Sequence, residues 1–282
     1  MGDVTDGLPT AWAAFLLVAG AAFLLLTGTG AYWLARAGLA PVERMRRVRG
    51  ALARQRSLTA DASHELRTPL AVLAGELELA SKPGRSREEL AAAVAIAADE
   101  VTRLERITED LLLLARDDED TLVTHPAPTD IGALLTQSAG RAGGRARAAG
   151  VACRVNAPAG LVVAVDPGRI RQAVDNLVDN GLRFAPPGTD ITLSARQAGP
   201  TLVIEVRDRG PGFPPDFLPH AFERFRRPDR DRARGEGGAG LGLAIVRAIA
   251  LGHGGQVSAR NRPGGGAVVR LEIPVTRSAL GQ

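Results

Sequence analysis

The chain has 282 residues, 45% hydrophobic and 23% charged, which excludes a disordered chain and leaves room for more than one domain. A single cysteine, Cys153, excludes an intramolecular disulfide or a multi-cysteine metal cluster. The net charge of +4 comes almost wholly from arginine, without interleaved aromatics, so nucleic acid is not an expected partner.

Residues 12–34 carry no charge, and these 23 positions would rise roughly 34 Å as a helix, against a hydrocarbon core of about 30 Å. Trp12 at one end and Tyr32 with Trp33 at the other fit interfacial anchors. Asp3 and Asp6 precede the run, with no basic residue, which argues against a cleaved signal peptide. Arg36, Arg44, Arg46, Arg47 and Arg49 follow it, so the positive-inside rule puts everything after residue 35 in the cytoplasm. The residues before Trp12 are too few to fold a ligand-binding domain. Sensing would then occur within the bilayer, through a partner, or through an upstream part absent from this chain.

Residues 40–56 read as a helix continuing from the span, kinked at Pro41. Leu66, Leu70, Leu73 and Leu77 then repeat at four and three. A turn at 81–86 follows, and Leu90, Val94, Ala97, Val101, Leu104, Ile107, Leu111 and Leu114 continue the pattern. Ser86 with Glu89 has the form of a capping box that starts the second helix. One antiparallel hairpin cannot cover both of its apolar stripes. Two hairpins in a four-helix bundle can, so a homodimer is expected, the alternative being a hairpin packed on its own C-terminal domain. Within DASHELRTPL (61–70), Ser63 falls near the seam and His64 about 100° from it, on the bundle flank. Read alone, such a histidine fits a nucleophile, a ligand or an ordinary surface residue.

From 127 onward the texture alternates between strands and helices. Strands are expected at 151–156, 161–165, 191–196, 201–207, 255–260 and 267–273, and helices at 130–149, 167–184 and 240–252. This order predicts an α/β sandwich with one helix layer on a mixed sheet. Three constellations in it carry chemistry. Asn176 and Asn180 sit at i and i+4 on one helical face, where amide oxygens suit a hard cation such as Mg²⁺, and Arg183 can meet phosphate. Asp208, Gly210 and Gly212 follow a strand, where a carboxylate can accept from an exocyclic amino group of a flat ligand. Gly237, Gly238, Gly240 and Gly242 precede an apolar helix, as at an anion site. About 25 residues rich in Pro, Arg and Asp separate the last two, the composition of a mobile flap; its dense arginine run spans Arg224 to Arg234.

Taken together these motifs resemble bacterial membrane-bound sensor histidine kinases of two-component systems. DASHELRTPL is similar to the family's phospho-acceptor box, and DNLVDNGLRF to its asparagine box. DRGPGF and GGAGLGL are similar to the two glycine boxes, with AFERFRR as the phenylalanine box between them. The resemblance covers roughly 57–276 in the family's order. It implies a multi-domain chain: one transmembrane helix, a hairpin forming a dimeric four-helix bundle, then a Bergerat-type α/β ATP-binding domain. The implied boundaries are 1–11 outside, 12–34 spanning, 35–56 a juxtamembrane helical linker, 57–118 dimerisation and histidine phosphotransfer, and 127–276 ATP binding.

The resemblance further implies that His64 accepts the γ-phosphoryl group of ATP, and that Glu65 orients the ring and takes its proton. Thr68 matches the position that serves dephosphorylation of the partner response regulator, and Pro69 would loosen the helix. Asn180 would bind Mg²⁺ with Asn176 assisting and Arg183 near phosphate. Asp208 would read adenine, with Gly210 and Gly212 beside it. Gly238, Gly240, Leu241 and Gly242 would receive the phosphates under a lid containing Phe222 and Phe225. The lid arginines would contact phosphate or dock the nucleotide domain onto the bundle. Expected partners are a cognate response regulator, a second copy and the lipid bilayer of the bacterial inner membrane.

Two features depart from the family. Gly181 stands where alanine is usual, which should weaken its helix by about 0.5–1 kcal/mol. Only 23 positions separate Pro41 from His64, room for one helix of the usual two-helix signalling linker. ATPases of the gyrase, chaperone or mismatch-repair type, and a non-catalytic scaffold, are the competing readings. The first lack a histidine-bearing hairpin, and intact boxes argue against the second.

Overall fold

The structure is a computed structural model that describes residues 15, 20–29, 62–63, 66–118, 122–228 and 239–275. By contact the chain divides into two units, Met1–Thr59 and Ala60–Gln282. In the first, residues 20–29 are helical, and Phe23, Leu24, Leu25 and Leu26 are exposed. Among the described residues no helix is long and apolar enough to cross a membrane. Most of the expected span at 12–34, and all of the linker at 35–56, lie outside the described residues.

The second unit begins with a helical hairpin. Helix α1 covers 66–80, running on through Pro69, and α2 is Arg87–Asp118. The capping box forms in both directions. The Ser86 amide donates to Glu89 Oε2 at 2.9 Å, and the Glu89 amide donates to Ser86 Oγ at 3.1 Å. The apolar stripe remains largely uncovered, with Leu70, Leu77, Leu90, Val94 and Val101 exposed. Only near its end does it bury, at Ile107, Leu113 and Leu114, where α2 packs on the following α/β part.

That part contains β1 (Ala127–Asp130), α3 (Ile131–Ala148), β2 (Ala152–Asn156), β3 (Val162–Val165) and α4 (Pro167–Phe184). It continues with β4 (Asp190–Ala198), β5 (Thr201–Arg207), α5 (Gly242–Gly252), β6 (Gln256–Asn261) and β7 (Ala267–Pro274). Five strands form a sheet in the order β2-β4-β5-β7-β6, parallel between β2 and β4 and antiparallel elsewhere. The mixed sheet is as expected. The small antiparallel pair β1–β3 was not, because β1 is a four-residue segment containing a proline, without alternation.

Period-two alternation sends Ile191, Leu193 and Ala195 of β4 inward, and Leu271 and Ile273 of β7 join them. The helices cover this face with Leu135, Ile170, Val174, Leu177, Ile245 and Ile249. Helix α3 forms despite Gly140, Gly143 and Gly144, because Leu134, Leu135, Ser138, Ala142 and Ala146 bury one stripe, outweighing the propensity cost. Asp130 and Asp166 cap α3 and α4, each accepting from an amide three residues on at 3.0 Å.

Candidate nucleotide and phospho-acceptor site

Helix α4 buries Ile170, Ala173, Val174, Leu177, Val178 and Gly181, which leaves Asn176 and Asn180 half-buried on its flank. The Asn176 side-chain nitrogen is buried and has no hydrogen-bond partner among the described residues. An unmet buried donor costs about 1–3 kcal/mol, so this nitrogen is one to which an acceptor, from water or a ligand, would be favourable. The start of α5 lies against the same residue: a Cβ added to Gly242 would sit 3.7 Å from Asn176 Oδ1. Leu241, the buried N-cap residue of α5, has no polar side chain to bond the first amides. Those amides and the helix dipole favour an anion. Asparagines and glycine box, about 60 positions apart in the chain, therefore meet.

Asp208 directly follows β5 and is 9% exposed. Its Oδ1 accepts from the Gly210 amide at 2.8 Å and the Ala267 amide at 3.2 Å. Those two bonds fix the carboxylate plane and leave Oδ2 out of both. A Cβ on Gly210 would lie 2.9 Å from the Phe184 carbonyl oxygen, so only glycine lets this loop pack on the end of α4. At Gly181 the fit is less strict: a Cβ there would approach the end of the Ile191 side chain, at Cδ1, to 3.0 Å and Asp208 Cβ to 3.7 Å. The glycine that weakens α4 on propensity makes room for a fully buried isoleucine beneath Asp208.

The segment after Phe213 folds back over this region. Phe222 and Phe225 are half-buried against the core. Phe225 has a φ of 55°, unusual for a non-glycine residue, and Gly240, itself at a φ of 70°, packs on its backbone. Of the arginine run, Arg224 donates to the Leu114 carbonyl of α2 at 3.2 Å, and Arg226 lies 3.8 Å from Glu223. The first contact ties the lid to the hairpin. Arg183 is exposed, with its guanidinium 5.0 Å from the centre of the Phe184 ring. Thr68 is exposed on α1. His64, Glu65, Gly238 and Arg230, Arg232 and Arg234 lie outside the described residues.

Beyond the lid arginines, sequence reasoning named no residues at the contact between hairpin and α/β part. Gln172 of α4 donates to Asp110 of α2 at 3.3 Å, and Arg106 lies 3.9 Å from Asp179. Burial pushes the Asp110 carboxyl from 3.8 up to about 6, against the pull of Gln172 and Arg106. The sequence signal is slight: an acid beside an apolar stripe that also fits dimerisation.

Residues 165–277 match the family of histidine kinase-, DNA gyrase B- and HSP90-like ATPases, and residues 54–120 match the His Kinase A (phospho-acceptor) domain. The chain is 35% identical over 223 residues to the signal transduction histidine-protein kinase BaeS of Escherichia coli, across 79% of this chain and 47% of BaeS. It is 39% identical over 209 residues to the probable sensor histidine kinase TcrY of Mycobacterium tuberculosis, across 74% of this chain and 44% of TcrY. It thus spans about half the length of these curated relatives. Among solved structures, full-length ShkA in complex with AMPPNP is similar at a TM-score of 0.61 and 30% identity, over 79% of this chain and 46% of ShkA. The histidine kinase AdeS of Acinetobacter baumannii shares the fold at a TM-score of 0.61 and 24% identity, over 76% of this chain and 98% of AdeS.

Proposed function

Since the chain belongs to the two-component sensor histidine kinases, we propose that it phosphorylates its own His64 from Mg-ATP and passes the phosphoryl group to an aspartate of a response regulator. The observation that carries the ATP half is the start of α5 lying against Asn176, whose buried side-chain nitrogen has no partner among the described residues. Asp208 accepts from the exocyclic amino group of adenine. Gly238, Gly240, Leu241 and Gly242 receive the phosphates under Phe222 and Phe225, and Arg183 lies near them. Asn180 holds Mg²⁺ through its amide oxygen, with Asn176 assisting; the ion, when bound, neutralises phosphate charge. AMPPNP, named with ShkA, is an ATP analogue, which supports the same ligand class here.

In the transfer, an imidazole nitrogen of His64 bonds to the γ-phosphorus while the bond from that phosphorus to the bridging oxygen breaks. The electron pair leaves with ADP, and Glu65 takes the imidazole proton. A neutral imidazole is available at cytoplasmic pH, its ordinary pKa being about 6.5. Glu65 and Thr68 also suit dephosphorylation of the regulator.

The uncovered stripe from Leu70 to Val101 supports a homodimer, since a second hairpin would bury it. The uncharged run at 12–34, the arginines after it, and exposed Phe23, Leu24, Leu25 and Leu26 support a single membrane pass with the kinase part in the cytoplasm.

The nucleotide reading is tested by affinity of the full chain for ATP and GTP in Mg²⁺. Guanine carries a carbonyl where adenine carries its amino group. We expect ATP to bind at least tenfold more tightly than GTP, and Asp208→Asn to lose that preference. Failure to bind either nucleotide, or equal affinity in the unaltered chain, would refute it.

A further inference from the structure

The loop that carries Asp208 is held by its own Asp208–Gly210 bond, by Ala267 and by the pairing of Arg209 with Asp190. Two residues outside every motif, Asn261 at the end of β6 and Arg262 after it, add further contacts. Asn261 Oδ1 accepts from the Phe213 amide at 2.7 Å, and Asn261 Nδ2 donates to the Phe213 carbonyl at 2.8 Å. One side-chain amide thus closes both backbone groups of one residue, as a neighbouring strand would. A side-chain amide offers a donor and an acceptor on two separate atoms, as these two bonds require; an ionised aspartate can only accept. Gly212, at a φ of 77°, completes the fit, since a Cβ there would come within 2.8 Å of Asn261 Oδ1. Arg262 Nη1 donates to the Asp208 carbonyl at 2.7 Å, and its own amide is fixed to the Gly266 carbonyl at 2.9 Å.

Phe213 is where the lid begins. Its ring stacks on Phe217 at 6.1 Å between centroids and 27° between planes, and both pack against or within the core. The far end of the lid is held at Gly240 against the Phe225 backbone. Asn261 is exposed, so its amide is ordered by these two bonds rather than by surrounding packing.

We infer that Asn261 is a positioning residue for nucleotide binding, clamping the near root of the lid to the β6–β7 turn so that the loop bearing Asp208 is pre-organised. This rests on reading 208–242 as the ATP site. The clamp touches no reacting atom, so its loss should weaken affinity for ATP while leaving the transfer step nearly intact.

The test uses the full chain with Asn261→Ala and the nearly isosteric Asn261→Asp. ATP affinity is read with a non-hydrolysable analogue, turnover by autophosphorylation at saturating ATP, and exchange of the Phe213 amide by hydrogen–deuterium exchange. Both variants are expected to bind the analogue about tenfold more weakly, keep saturating turnover within about threefold, and exchange the Phe213 amide faster. Unchanged affinity and unchanged exchange would overturn the inference. So would a parallel loss of turnover and thermal stability, which marks a purely structural residue. Should the unaltered chain bind no ATP, the kinase reading falls, and the Phe213 amide still decides the clamp: faster exchange in the variants supports it, and equal exchange overturns it.

Discussion

Replacing Asp110 by asparagine should change how stability depends on pH. The carboxyl is 9% exposed on α2, bonded by Gln172 from α4, and burial raises its pKa from 3.8 to about 6. Between those two values the folded chain holds a proton that the unfolded chain has released. Stability therefore falls as pH rises: the contribution is complete below about 3.8 and gone above about 6. A shift of about two units corresponds to roughly 3 kcal/mol at most, at about 1.4 kcal/mol per unit. Asparagine keeps an acceptor for Gln172 and carries no charge. Asp110→Asn should thus match the unaltered chain near pH 4 and exceed it by up to roughly 3 kcal/mol near pH 7.5. Urea unfolding of both chains from pH 4 to 8 measures this as a difference curve. The difference is needed because Asp166, Asp190, Glu205 and Glu223 have lowered pKa values and lose stability in the opposite direction, as pH falls. In Glu205 burial works against the lowering but is outweighed by Arg207 and Arg270. Parallel curves, or a variant less stable at pH 7.5, would refute the reasoning.

Val94→Glu places a charge in the middle of the uncovered stripe, where Val94 is 66% exposed in the single chain. Folding of the monomer should be little affected, but dimer affinity should fall at least 100-fold, read by sedimentation of the full chain in detergent. Unchanged association would contradict the bundle. Gly240→Ala forces a side chain into a left-handed backbone and within 3.0 Å of the Phe225 carbonyl carbon. At about 1–2 kcal/mol of strain, ATP affinity should drop roughly five- to thirtyfold, as titration with an ATP analogue would show.

Much of this architecture was legible in the sequence because the signals were local. The strand at Thr201–Arg207 and the helix at Pro167–Phe184 fall at their expected bounds: one is an apolar run closed by a charge, the other opens on Asp-Pro and breaks at Pro186. The Ser86–Glu89 cap was likewise readable, as donor and acceptor lie three residues apart. What escaped depends on contacts between distant segments. No pattern in the sequence brings Asn261 to Phe213, 48 residues away, or Gln172 to Asp110, 62 residues away. Gly181 shows a subtler limit. Its propensity cost was readable, but the reason for it lies in Ile191 on a neighbouring strand. His64 was picked out by its neighbours in the sequence and by the ATP site downstream.

Phosphorylation of His64 tests the central claim most directly. The full chain is incubated with γ-labelled ATP and Mg²⁺ beside His64→Gln. A sensor histidine kinase gives label that is acid-labile, base-stable and absent from the variant. Label that persists in His64→Gln, or none at all while ATP is bound, contradicts it.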